Sequence, residues 1–137
     1  IPRDIDLIVG IPRSGMMPAN LMALYLNLPY TDIHSFINGY IYKSGARRQF
    51  FDGSEFKKIL VVDDSMASGS ALIECKENLK QLNGKYDFSF CVVYATPEKE
   101  KLADYALEIV PTPRYFTFAK RTMNLQCINH RSTATEF

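Results

Sequence analysis

The sequence predicts an α/β domain, a parallel sheet with helices on both faces. Short, wholly apolar runs of strand length recur along the chain, and helix start and stop signals fall in the intervals between them. Nearly half of the 137 residues are hydrophobic, 47%, enough for a real core in a single domain. Strands that are apolar throughout, rather than alternately, are the mark of a sheet buried on both faces.

The first strand is Leu7-Ile8-Val9, ending at Gly10. Pro18 suits the first residue of a helix that runs to about Leu26 and stops at Asn27 and Pro29. Tyr30 to Ile33 has the length of a second strand. From Ser35 to Lys57 the steady period is lost: glycines, the bases Lys43, Arg47, Arg48 and Lys57, and many aromatics imply a long loop or flexible hairpin. Ile59-Leu60-Val61-Val62 is a buried strand that the carboxylates Asp63 and Asp64 are expected to end. A helix follows from Ala71, with Leu72, Cys75, Leu79 and Leu82 on one face and Asn83-Gly84 as its stop. Phe88 to Ala95 is a further buried strand, Pro97 to Tyr105 a helical turn or short helix, and Leu107 to Val110 another strand. Tyr115 to Phe118 follows the turn marked by Pro111 and Pro113.

Composition narrows the function. The net charge of +1 argues against nucleic acid as a partner. No apolar run approaches the roughly 20 residues that span a bilayer, so no membrane partner is expected. Cys75, Cys91 and Cys127 are widely spaced and odd in number, which suits reduced thiols in the cytoplasm. His34 and His130 have no companions at metal-ligand spacing. The chain begins at Ile1 without an initiator methionine, so residues 1–137 are expected to form one domain of a longer protein.

In open parallel sheets ligands bind outside the carboxyl ends of the strands, and two loops there carry unusual residues. In the first, Asp63-Asp64 precedes the small-residue run Ala67-Ser68-Gly69-Ser70-Ala71 at a helix start. Small side chains expose consecutive backbone N–H groups, and the helix end adds about half a positive charge, a cradle for one phosphate. The carboxylates would repel phosphate and suit hydroxyls or a cation. Together they suggest a sugar phosphate. A plainer reading makes Asp64 or Ser65 a helix cap. The run Ile59 to Ser65 also resembles the opening of response-regulator receiver domains, but the next buried strand ends at Ala95-Thr96 without the carboxylate such domains need. The second loop, Gly10-Ile11-Pro12-Arg13-Ser14-Gly15, has glycine at both ends for a tight anion-binding turn, and Arg13 supplies a cationic fork.

Val61 to Ala71 resembles the phosphoribosyl pyrophosphate motif of type I phosphoribosyltransferases, in a spelling closest to the orotate enzymes; purine-salvage members often carry an acid where this chain has Ala67. The resemblance implies that Asp63 and Asp64 hold the ribose hydroxyls and that Ala67, Ser68, Gly69, Ser70 and Ala71 wrap the 5′-phosphate. Pro12, Arg13 and Ser14 fall in the family's pyrophosphate loop. Lys43, Arg47 and Arg48 take the place of its flexible catalytic loop, and Arg114, Tyr115 and Phe116 that of the small hood over the acceptor. The implied reaction moves ribose 5-phosphate from phosphoribosyl pyrophosphate to a nitrogen acceptor. Mg²⁺ would be held mainly through the donor's pyrophosphate, and the family's dimeric habit implies a homodimer. The same fold also serves non-catalytic sensors, the second reading the sequence leaves open.

Overall fold

A computed structural model describes residues 1–42, 48–50, 56–66 and 68–112, with the backbone alone at 48–50. Its strands are β1 (Leu7–Gly10), β2 (Tyr30–Asp32), β3 (Tyr40–Tyr42), β4 (Arg48–Phe50), β5 (Lys58–Met66), β6 (Asp87–Ala95) and β7 (Tyr105–Ile109). They form one sheet in the order β4-β3-β2-β1-β5-β6-β7. From β2 to β7 every neighbouring pair is parallel. The β3–β4 hairpin adds two antiparallel strands at the β2 edge.

Consecutive residues of a strand face opposite ways, and here both ways are covered. Leu7, Val9, Ile59, Val61 and Val92 meet Ile33 and Phe36 of α2 (Ile33–Ile37) and Leu72, Cys75 and Leu79 of α3 (Ser70–Leu79). Ile8, Leu60, Val62 and Cys91 meet Ala19 and Ala23 of α1 (Met16–Leu26). The crossovers β1-α1-β2 and β5-α3-β6 leave the central pair in opposite directions. Right-handed connections therefore put α1 and α3 on opposite faces. The predicted class, a parallel sheet with helices on both faces, is the one observed.

Several element boundaries differ from the sequence reading, for reasons outside the local sequence. α1 starts at Met16, two residues before Pro18, because the backbone turns at Gly15 against β5. β5 does not stop at Val62. It runs through both aspartates to Met66 because the long strand β6 keeps pairing with it as far as Ala95. The second strand ends at Asp32, whose carboxylate accepts the Ser35 N–H at 2.9 Å and caps α2. The region expected as loop or hairpin thus opens with a helical turn and continues as the β3–β4 hairpin. α3 gives way at Lys80 to a 3₁₀ turn, Lys80–Leu82, and Gly84 does not take the left-handed conformation of a glycine stop. The turn after β6 contains a 3₁₀ helix over Glu100–Leu102, and β7 begins at Tyr105.

Among the described residues no helix is long and apolar enough to cross a membrane. Cys75 and Cys91 are buried thiols, and burial raises both to about 11. Arg48 contributes its backbone to β4, paired with Tyr42. Lys43, Arg47, Ala67, Arg114, Tyr115, Phe116, Cys127 and His130 lie outside the described residues.

Candidate functional site

The topology sets the site between β1 and β5. β1 continues to β2 on one side and β5 to β6 on the other, so the strand order reverses between them, and such a switch point opens a crevice at the carboxyl end. A difference in length deepens it. β1 pairs with β5 only as far as Gly10 opposite Val62, whereas Asp63, Ser65 and Met66 find partners only in β6. Beyond Val62 one edge of β5 is thus released by its neighbour, and the acidic pair stands on the released stretch.

Asp63 and Asp64 are almost fully buried, 7% and 3% exposed. The Asp64 N–H donates to Asp63 Oδ1 at 2.8 Å, and the Ser14 hydroxyl donates to Asp64 Oδ1 at 2.8 Å. Burial pushes the Asp63 carboxyl up to about 7; the Asp64 N–H opposes that rise, and the neighbouring Asp64 carboxyl adds to it. Neither aspartate caps α3, whose cap position is Gly69.

The turn into α3 is open on its outer side. Ser68, Ser70 and Ala71 are exposed. The Ser68 and Ser70 hydroxyls lie 2.9 Å apart, and the Ser70 N–H reaches Ser68 Oγ at 3.3 Å. Gly69 is buried at φ 80°, and a β-carbon there would come within 2.6 Å of Leu102 Cδ1. Glycine is therefore required on two counts, backbone angle and space. Leu102, from the turn after β6, was not visible to sequence reasoning as part of this site. Nothing local ties it to Gly69.

The loop after β1 closes the other wall. Ile11 N–H donates to the Val62 carbonyl at 2.9 Å, carrying the ladder one residue past β1. A β-carbon on Gly15 would lie 2.5 Å from the Ile11 oxygen and 2.8 Å from the Val62 oxygen, so glycine alone permits this approach. The Pro12–Arg13 peptide is cis. Pro12, Arg13 and Ser14 are exposed beside the buried aspartates. The structure thus brings the two predicted loops together across the switch point. The bond joining them, Ser14 to Asp64, spans residues fifty apart in sequence.

This arrangement can hold hydroxyls at the carboxylates and an anion at the start of α3. Among the described residues no group of three or more His, Cys, Asp or Glu side chains stands ready to hold a metal ion. The hard oxygens of Asp63 and Asp64 are compatible with a Mg²⁺ ion that brings most of its own ligands.

The model of the phosphoribosyl transferase domain matches residues 1–119, most of the chain. The chain belongs to that family. Among its relatives, a xanthine-guanine phosphoribosyltransferase of Chromohalobacter salexigens is 30% identical over 120 residues, 86% of this chain and 70% of that protein. The transcriptional regulator GfcR of Methanococcoides burtonii is also 30% identical, over 82 residues, 58% of this chain and 40% of the regulator. The chain spans roughly two fifths of the length of this regulator and of the similar regulators it matches. In structure, the Helicobacter pylori xanthine-guanine-hypoxanthine phosphoribosyltransferase superposes with a TM-score of 0.63 at 18% identity, covering 93% of this chain and 81% of that one. That likeness shows the type I phosphoribosyltransferase fold.

Proposed function

We propose that this phosphoribosyltransferase-family domain binds phosphoribosyl pyrophosphate between β1 and β5 and transfers its ribose 5-phosphate to a nitrogen acceptor, releasing pyrophosphate. The observation that carries the reading is the buried pair Asp63 and Asp64 on the stretch of β5 that β1 leaves unpaired, next to a helix start lined by small residues.

Asp63 and Asp64 take the ribose hydroxyls, and the backbone from Ala67 to Ala71 takes the 5′-phosphate. Pro12, Arg13 and the Ser14 backbone border the pyrophosphate, joined by Lys43, Arg47 and Arg48. Arg114, Tyr115 and Phe116 cover the acceptor. Displacement breaks the bond from the anomeric carbon to pyrophosphate oxygen and forms one to the acceptor nitrogen. Positive charge gathers on the ribose and negative charge on the leaving group. The carboxylates sit by the first and the cationic side chains by the second, so the protein acts through position and electrostatics. Mg²⁺, held mainly through the pyrophosphate and water, neutralises part of the leaving group's charge when bound.

The similarity to GfcR supports a second reading, a domain that binds the same donor and transfers nothing. Incubation with phosphoribosyl pyrophosphate, Mg²⁺ and a panel of nucleobases separates the two. Pyrophosphate release with at least one base is expected. Donor binding without release on any base would favour the sensor.

A further inference from the structure

We propose that Ser14 is a positioning residue, whose hydroxyl fixes the Asp64 carboxylate for the ribose hydroxyls and so ties the loop after β1 to the acidic pair of β5. The inference rests on the phosphoribosyl reading above and changes the part that one loop residue plays in it.

The argument begins with the proton. Ser14 has one hydroxyl hydrogen, and it is directed to Asp64 Oδ1 at 2.8 Å. With that hydrogen committed, the side chain presents only oxygen lone pairs to its surroundings, which repel an anion. Its backbone still borders the loop's mouth, but the side chain belongs to the carboxylate.

The backbone delivers the hydroxyl to that point. Gly15, the next residue, packs so closely on β5 that a β-carbon would meet the Val62 oxygen at 2.8 Å. Ile11 is pinned by its own hydrogen bond to the same oxygen at 2.9 Å. Ser14 is therefore held between two fixed points. It stands where β1, ending at Gly10, no longer covers the β5 edge.

Asp63 and Asp64 are neighbouring carboxylates in a nearly dry setting, and each is steadied by a donor of a different kind. Asp63 accepts a backbone N–H, which truncating a side chain does not remove. Asp64 accepts a side-chain hydroxyl from across the switch point. A hydrogen bond to a charged group is among the stronger kinds, so its loss should be felt by any ligand that depends on the Asp64 rotamer.

The test uses two probes on the folded domain, ribose 5-phosphate and pyrophosphate with Mg²⁺, each titrated by calorimetry. Ser14→Ala is expected to weaken ribose 5-phosphate roughly tenfold and to leave pyrophosphate within about twofold, with Ser14→Thr close to wild type for both. In Asp64→Ala, which leaves the hydroxyl no acceptor, the further change Ser14→Ala should cost nothing more, because the serine acts through that carboxylate. Loss of pyrophosphate alone would mean that Ser14 touches the leaving group directly, and equal loss of both probes would mean that it only shapes the loop. Either result, or no change at all, overturns the proposal. A wild-type protein that binds neither probe sinks the phosphoribosyl reading itself.

Discussion

β1 and β5 lie side by side at the centre of the sheet, and both are buried apolar runs as far as their pairing lasts. They part at one level. β1 stops at Gly10 and turns at once into a loop held by backbone contacts, whereas β5 goes on through Asp63, Asp64 and Ser65 to Met66. The comparison shows how a parallel sheet makes a site. One strand ends early and the other carries polar groups into the gap. The loop after β1 can approach β5 only because Gly15 has no side chain, whereas β5 offers the site the side chains of Asp63 and Asp64. Substitutions should therefore act differently on the two.

The largest effect is expected on the β1 side. Gly15→Ala drives a β-carbon into two backbone oxygens that cannot move aside without breaking the β1–β5 ladder. It should destabilise the domain by about 3 kcal/mol, read as a lower urea midpoint. A midpoint within experimental error of wild type would mean that the loop does not pack as described.

On the β5 side, Ser68→Asp adds a negative charge at an exposed turn and should leave stability nearly untouched. Two unit charges about 4 Å apart near a surface repel by about 4 kcal/mol, so the affinity for ribose 5-phosphate should drop about a hundredfold or more. An unchanged dissociation constant would remove the 5′-phosphate from the start of α3.

The buried carboxylate gives a pH signature. The folded Asp63 titrates at about 7, mainly because it is buried, whereas an unfolded aspartate titrates at about 4. The folded state therefore holds this proton more tightly. Its contribution to stability is complete below about pH 4 and is lost as the pH rises through about 7. Asp63→Asn should remove a slope on the order of 2 kcal/mol across that window, measured as the difference between the two proteins' unfolding curves. Parallel curves would place the Asp63 carboxyl in a more solvated setting than its burial implies.

The smallest effect is expected at a glycine away from both walls. A β-carbon on Gly84 meets nothing within 4 Å. Because Gly84 is not left-handed, Gly84→Ala should stabilise by about 0.5 kcal/mol through the unfolded chain. A loss comparable to that of Gly15→Ala would show that the contrast between the two glycines has nothing to do with packing.

The parts of this design that were legible in the sequence depend on neighbours along the chain. Leu7 to Val9 and Ile59 to Val62 announce buried strands because each is apolar without a break, and Phe88 to Ala95 does so with Ser89 its one interruption. The run of small residues before Leu72 announces an open helix start for the same local reason. Other parts depend on partners far away. Asp63 and Asp64 read as the end of a strand, because charge in a buried parallel strand is costly and nothing nearby says that β6 is long enough to carry β5 onward. α2 was hidden because the Tyr30 to Ile33 stretch reads as extended, although Asp32 with Ser35 three residues on was a capping signal in plain view. The contacts of Ser14 with Asp64 and of Leu102 with Gly69 have no local trace. They exist because the crossovers bring distant turns to one end of the sheet.

Central to this account is the claim that the acidic stretch of β5 receives the ribose of a phosphoribosyl donor. Calorimetric titration of phosphoribosyl pyrophosphate with Mg²⁺ into the wild-type domain and into the Asp63→Asn, Asp64→Asn double variant tests it most directly. Saturable binding to the wild type is predicted, with at least a hundredfold weaker binding to a double variant that still unfolds cooperatively. Equal affinity in the two proteins, or no binding to the wild type, would contradict it.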